Sequence, residues 1–201
     1  MRPRDDRTGT PADLLVVGLG NPGEEYRHSR HNAGADVVEI LARRHGVRLR
    51  GGRFDALVGE TNVGGRRLAL AIPLTYMNES GRSVQPMLRR FGVEPDRLVV
   101  VHDELDLEPG VFKLKEGGGL AGNNGLRSIK QHLHTEAFLR VRIGIGKPRS
   151  KEHGADHVLS RMSKKARADF EVTLEGAADA VEAILADGIE AAMNRYNTRP
   201  A

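Results

Sequence analysis

Short apolar runs alternate with stretches of helical periodicity from Leu14 onward, and that alternation decides which folds the chain can adopt. Leu14–Leu19 is apolar and leads into a glycine, so it reads as a buried strand. Ala33, Val37, Ile40 and Leu41 then recur at three- and four-residue steps, predicting an amphipathic helix that ends near Gly46. Two strands are expected next, about Ala56–Glu60 and Arg67–Ile72, on either side of Asn62 and the Gly64-Gly65 turn. Ser80 is placed to cap a helix with Val84, Met87, Leu88 and Phe91 inward, stopped by Gly92 and Pro95. Leu98–Val101 reads as another buried strand. Gly117–Gly125 leads into a helix with Leu126, Ile129 and Leu133 inward, and Phe138–Ile145 alternates as a strand. A long helix over Lys164–Asp187 carries Phe170, Leu174, Ala177, Val181 and Ile184 on one face. Neither a linker nor an internal repeat interrupts the series. The expectation is one α/β domain of three layers, a mixed twisted sheet with helices on both faces.

Composition narrows the function classes. At 201 residues, 39% hydrophobic and 29% charged, the chain is long and apolar enough for one real core. Cysteine is absent, which excludes a disulfide scaffold, iron–sulfur ligation, a thiol nucleophile and thiolate zinc sites. No apolar run approaches the roughly 18 residues that a membrane span requires. Met1–Asp13 has basic residues but no apolar segment, so it reads as a flexible polar lead-in rather than a secretory signal. The net charge of +4 is unevenly placed. Residues 169–201 hold seven acids and two bases, a net of −5, which leaves +9 on residues 1–168. A basic body points either to a polyanionic partner or to an arginine-rich solvated surface. With only 4% aromatic residues, a base-stacking platform is disfavoured, so any RNA must be held through phosphates and shape.

One motif misleads. Gly18-Leu19-Gly20-Asn21-Pro22-Gly23 fits G-x-G-x-x-G directly after a strand, the pattern of a dinucleotide site. In such a site the helix begins inside the motif and turns its N-terminus to the pyrophosphate. Here Pro22 and a polar stretch intervene before helical spacing begins, and Arg43-Arg44 stand where the ribose-binding acid belongs. Glycines allowing a tight turn at a strand end explain Gly18 and Gly20 better. They do not explain Asn21.

His31 lies at the expected start of the first helix, with Asn32 as its cap, and Asp103 follows the strand Leu98–Val101. Both fall near carboxyl ends of strands, where α/β sheets place ligand sites. A neutral imidazole can take a proton from water, and a carboxylate on its other nitrogen fixes the tautomer. Spacing alone favours a surface or capping histidine. A metal site built on His102, Asp103, Glu104 and Asp106 matches no ligand spacing. Asn21, Asn78 and Asn124 occupy similar loop positions, and amides can grip a carbonyl and a hydroxyl without adding charge. Asn123, two residues before Gly125, reads as a helix cap. Lys113, Lys115, Arg140 and Arg142 form a basic set that suits either a phosphate clamp or a solvated strand face.

Taken together these segments resemble the bacterial-type peptidyl-tRNA hydrolases over about Leu14–Asn197, which the resemblance marks as the domain. The stretches that carry it are VGLGNPG (Val17–Gly23), Tyr26, RHNAG (Arg30–Gly34), PLTYMNES (Pro73–Ser80), HDELDL (His102–Leu107), Asn124-Gly125-Leu126 and RIGIG (Arg142–Gly146). The resemblance implies a cytoplasmic, monomeric esterase, without cofactor or metal, that cuts peptide from the 3′ ribose of tRNA. It implies His31 as general base, Asp103 as the group holding it in its basic form, and Asn21 as the contact that distinguishes blocked from free aminoacyl groups. Tyr26, Tyr76, Met77, Asn78 and Asn124 would line the path of the acceptor end and peptide. Lys115 and Arg142, with Lys113 nearby, would hold the tRNA 5′-phosphate. Members often carry histidine where this chain has Asn123, and Leu120-Ala121-Gly122 is more apolar than usual. A non-catalytic RNA-binding protein on the same fold is the alternative.

Overall fold

The computed structural model describes residues 10–148 and 154–197. Two fully buried strands, β1 (Leu14–Gly18) and β4 (Leu98–Glu104), lie side by side in the middle of one six-stranded sheet. β2 (Ala56–Val63) and β3 (Arg66–Pro73) extend the sheet beyond β1, and β6 (Leu139–Gly144) and β5 (Phe112–Glu116) extend it beyond β4. The order is β2-β3-β1-β4-β6-β5, with β1, β3, β4 and β6 parallel and the two edge strands antiparallel. Strands covered on both faces have no solvent side, which is why β1 and β4 read as continuous apolar runs rather than alternations.

Side-chain alternation divides the core in two. Leu14, Val16, Val99, Val101, Val141 and Ile143 point toward α1 (Ala33–Arg44), α5 (Lys164–Asp187) and α6 (Ile189–Tyr196). Leu15, Val17, Leu98 and Val100 point toward α2 (Ser80–Phe91) and α3 (Asn124–Leu133). A short α4 (Gly154–Leu159) packs beside the turn that leads into α1. The three-layer mixed α/β architecture is therefore as expected.

Several local expectations are corrected. Ser80 is the first residue of α2 and not its cap; Glu79 takes the cap position and the Ser80 hydroxyl donates to the Met77 carbonyl at 2.7 Å. β4 runs to Glu104, so Asp103 belongs to the strand and does not follow it. β5, α4 and α6 were not expected. Residues 1–9 of the lead-in lie outside the described residues, whereas residues 10–13 are tied to the body. Ala12 is buried and donates to the Phe91 carbonyl, and the Asp13 carboxylate accepts the Arg67 amide at 2.7 Å.

The acidity of the C-terminal region is partly met inside the fold. Glu175, Asp179 and Glu182 form one stripe on α5 and converge on Arg44 at the end of α1, with Asp179 at 2.8 Å. His45 reaches Glu182 at 2.7 Å and Arg43 reaches Glu175 at 3.1 Å. Cations at a helix C-terminus are also favoured by its dipole, so the network clamps α1 to α5 where the α1 cations are already well placed.

At the start of α1, backbone packs directly on backbone. A Cβ on Gly34 would stand 2.1 Å from the Val101 carbonyl oxygen and 2.6 Å from the Leu19 nitrogen. A Cβ on Gly18 would meet the Gly34 carbonyl oxygen at 2.2 Å. The first turn of α1 thus sits directly on the ends of β1 and β4, fastened by Leu19 N–H to Val101 (3.0 Å) and Ala35 N–H to Leu19 (3.1 Å). Replacing Gly34 by alanine forces backbone against backbone. Gly34→Ala is expected to lower stability by about 1–3 kcal/mol or more, read as a fall in the urea midpoint. An unchanged midpoint would show that α1 can shift away.

Candidate active site

β1 and β4 are neighbours whose onward connections lead to opposite sides of the sheet, and the crevice at their carboxyl ends is where such sheets bind ligands. A cavity of about 550 Å³ opens there, walled by the loop after β1, the turns before α1 and α2, the end of β4, residues 121–124 and α4.

Arg30–Asn32 form a single 3-10 turn that runs straight into α1, and this turn presents His31 to the cavity. His31 Nδ1 lies 2.9 Å from Asp103 Oδ2. Both side chains are largely shielded, at 14% and 4% exposure, so the contact is protected from competing water. A carboxylate can only accept, so Nδ1 carries the hydrogen and Nε2 is left as the acceptor. The other Asp103 oxygen accepts from Asn123 Nδ2 at 3.3 Å. Asp103 itself is fixed by the ladder, opposite Ile143 of β6. On the opposite face of β4, His102 is fully buried and donates from Nδ1 to the Asp103 carbonyl at 2.7 Å. Burial pushes the His102 pKa down, so that ring is neutral and plays no part in the cavity.

Asn21 is held from two directions. The Asn32 amide accepts the Asn21 backbone N–H and donates to the Asn21 carbonyl, both at 2.9 Å. Its own Oδ1 accepts the Met77 N–H at 2.7 Å, which leaves the NH2 end for the cavity that Asn21 lines. Tyr76, more than half exposed, and Asn78 stand on the same wall, and Asn124 faces them from the start of α3. The arrangement offers a general base with an orienting acid, beside several amides and one exposed ring. That is equipment for hydrolysing a neutral, acyl-type bond.

The comparisons with known proteins point the same way. The peptidyl-tRNA hydrolase family model matches residues 15–201. The chain belongs to this family. A peptidyl-tRNA hydrolase from Frankia casuarinae is 50% identical over 183 residues, covering 91% of this chain and 93% of the relative. The Cutibacterium acnes peptidyl-tRNA hydrolase is 46% identical over 195 residues, covering 92% and 98%. The crystal structure of peptidyl-tRNA hydrolase from Acinetobacter baumannii superposes with a TM-score of 0.88 at 40% identity, covering 95% of this chain and 97% of that one.

Of the residues the resemblance singles out, His31, Asp103, Asn21, Tyr76, Met77, Asn78 and Asn124 converge on this one cavity. Tyr26, on a separate 3-10 turn, is not among its lining residues. Lys113 and Lys115 lie on β5 directly opposite Arg142 and Arg140 on β6, so the four share one sheet face. They are not equivalent. Arg140 is buried and donates to the carbonyls of Gly119 (2.7 Å) and Gly117, so it braces the glycine-rich segment rather than facing solvent. Lys113 donates to the Asn197 carbonyl at 2.6 Å, and Arg142 Nε pairs with the buried Glu104 at 3.1 Å. The Lys115 side chain makes no hydrogen bond or ion pair among the described residues. No group of three or more histidine or acidic side chains is placed to hold a metal ion among the described residues, and no described helix is long and apolar enough to cross a membrane.

Two residues of the site escaped sequence reasoning. Asn32 holds the cap position of α1 but makes no cap bond; it clamps the Asn21 backbone eleven residues away instead. Asn123 caps α3 as expected but also reaches Asp103. Nothing in one sequence separates an asparagine that caps from one that clamps. Because Asn32 is buried, Asn32→Ala leaves two backbone groups without partners and is expected to cost about 1–3 kcal/mol. Thermal unfolding measures it, and a melting temperature equal to wild type would show that water replaces the amide freely.

Proposed function

We propose that this chain hydrolyses the ester joining a nascent peptide to the 3′ ribose of tRNA, returning tRNA from prematurely released peptidyl-tRNA. The observation that carries the reading is the 2.9 Å contact between His31 and Asp103 at a cavity shared with Asn21, Asn78 and Asn124. His31 Nε2 takes a proton from water while the oxygen adds to the ester carbonyl carbon. Asp103, hydrogen-bonded to Nδ1, stabilises the imidazolium formed. The carbon–oxygen bond to the ribose then breaks, and the 3′ oxygen takes the proton back from His31. An alkoxide is a good enough leaving group that no acyl-enzyme is needed. Asn21 contacts the peptide, and Tyr76, Met77, Asn78 and Asn124 receive the peptide and the acceptor end.

The 5′-phosphate of the acceptor stem falls to the β5–β6 face. Among the described residues the Lys115 side chain has no hydrogen bond or ion pair to give up, whereas Arg142 is already held by Glu104. Residues 117–124 join this face to the cavity, since Arg140 holds their beginning and their end lines the site. The reading carries with it a cytoplasmic, monomeric enzyme that uses no metal or cofactor.

The direct test is peptide release from N-acetyl-aminoacyl-tRNA compared with unblocked aminoacyl-tRNA. Cleavage of the blocked substrate alone is expected, and cleavage of neither leaves an RNA-binding protein. His31→Ala is expected to lower kcat by roughly 10²–10⁴-fold with tRNA binding nearly intact. Full turnover in that variant removes His31 from the mechanism. Lys115→Ala is expected to weaken binding of whole tRNA and flatten its log–log salt dependence by about one, sparing a short aminoacyl-nucleotide substrate. Equal loss on both substrates overturns the phosphate assignment.

A further inference from the structure

We infer that Asn123 is a positioning residue for the catalytic pair, coupling the start of α3 to the Asp103 carboxylate. This deepens the hydrolase reading and rests on it. The Asn123 side-chain oxygen accepts from Gly125 N–H at 2.9 Å and Leu126 N–H at 3.0 Å. Two N–H donors against one end of an amide fix which end that is; reversing it would set NH2 against two more donors. The NH2 end must therefore point away from the helix, and it lies 3.3 Å from Asp103 Oδ1. The backbone is held as well, with Asn123 N–H on the Leu120 carbonyl at 2.9 Å and Arg127 N–H on the Asn123 carbonyl at 3.1 Å. Helix capping and carboxylate orientation are two ends of one rigid group.

Asp103 consequently has both oxygens engaged, one by His31 and one by Asn123. A carboxylate held at one oxygen only can rotate about Cβ–Cγ and swing its other oxygen off the imidazole. Held at both, it keeps one oxygen on Nδ1 throughout the reaction. The amide adds a second fixed donor to the carboxylate, on the oxygen that the imidazole does not use. Of the charged or titratable groups nearby, His31 from the turn before α1 faces the carboxylate, whereas His102 and Glu104 on β4, and Arg140 and Arg142 opposite Val100 and His102 on β6, alternate to the other face of the sheet. Of these groups only His31 bonds the carboxylate among the described residues, and Glu104 is engaged by Arg142.

Two substitutions separate the roles. Asn123→Ser keeps a good helix cap and deletes the donor; Asn123→Asp keeps the cap and sets a second carboxylate against Asp103. Both are assayed on N-acetyl-aminoacyl-tRNA beside wild type and His31→Ala, with melting curves to show intact folding. For Asn123→Ser the expected result is a kcat lower by about 10- to 100-fold with KM nearly unchanged, the scale of one hydrogen bond to a charged group. For Asn123→Asp, the added negative charge favours imidazolium at His31, so a higher pH is needed to free the base. The rising limb of kcat/KM should therefore move up by about one pH unit. Unchanged kcat in Asn123→Ser, or an unmoved limb in folded Asn123→Asp, overturns the positioning role while a dead His31→Ala keeps the catalytic pair. An active His31→Ala overturns both.

Discussion

Everything in the site hangs on the absence of two methyl-sized groups. Because Gly18 and Gly34 have no side chains, the first turn of α1 rests on the bare backbone of β1 and β4. The histidine one turn earlier then reaches the carboxylate two residues past the Val101 carbonyl. A helix packed at ordinary distance on a sheet stands about 10 Å from it, set by the side chains between them. Here that spacing is removed locally, and the base and the acid come from different elements yet meet at hydrogen-bond length. The same packing accounts for the misleading glycine pattern: Gly18 is there for a helix backbone, not for a pyrophosphate.

Much of this was legible in the sequence. Buried parallel strands announce themselves as apolar runs, and the long helix carrying Phe170, Leu174 and Val181 was bounded correctly because its periodicity lasts seven turns. What escaped was short or ambiguous. α4 has six residues and no buried side chain, so it shows no period. β5 has only five residues, Phe112–Glu116, and although its lysines suit a strand face, so short an alternation does not fix where a strand begins and ends. Asp103 was placed after its strand because a charged pair looks like a loop; in the fold it is a buried polar residue whose partners come from elements far away in sequence. Asn21, Asn32 and Asn123 show the same limit, since an amide's partner is decided by tertiary contact alone.

Charge follows a similar logic. In the sequence, the contrast between a basic body and an acidic C-terminal region suits either an external polyanion or a solvated arginine-rich surface. Part of it is internal: Arg43, Arg44 and His45 absorb Glu175, Asp179 and Glu182 where α1 meets α5. The basic residues of the β5–β6 face are similarly divided between bracing the protein and meeting solvent. Arg140 belongs to the first group, whereas the half-buried Lys115 side chain makes no hydrogen bond or ion pair among the described residues. Counting cations in a sequence overstates what is available to a ligand, because arginines placed in sheet interiors are usually already at work.

The Asn21 amide has a consequence of its own. Its oxygen is committed to the Met77 N–H, so only hydrogens face the cavity. Any group settling against it must bring a lone pair. If the chain acts as proposed, an acylated amine would offer one on its carbonyl oxygen, whereas a protonated free amine would bring only more hydrogens and a positive charge, and would be turned away without any steric obstruction.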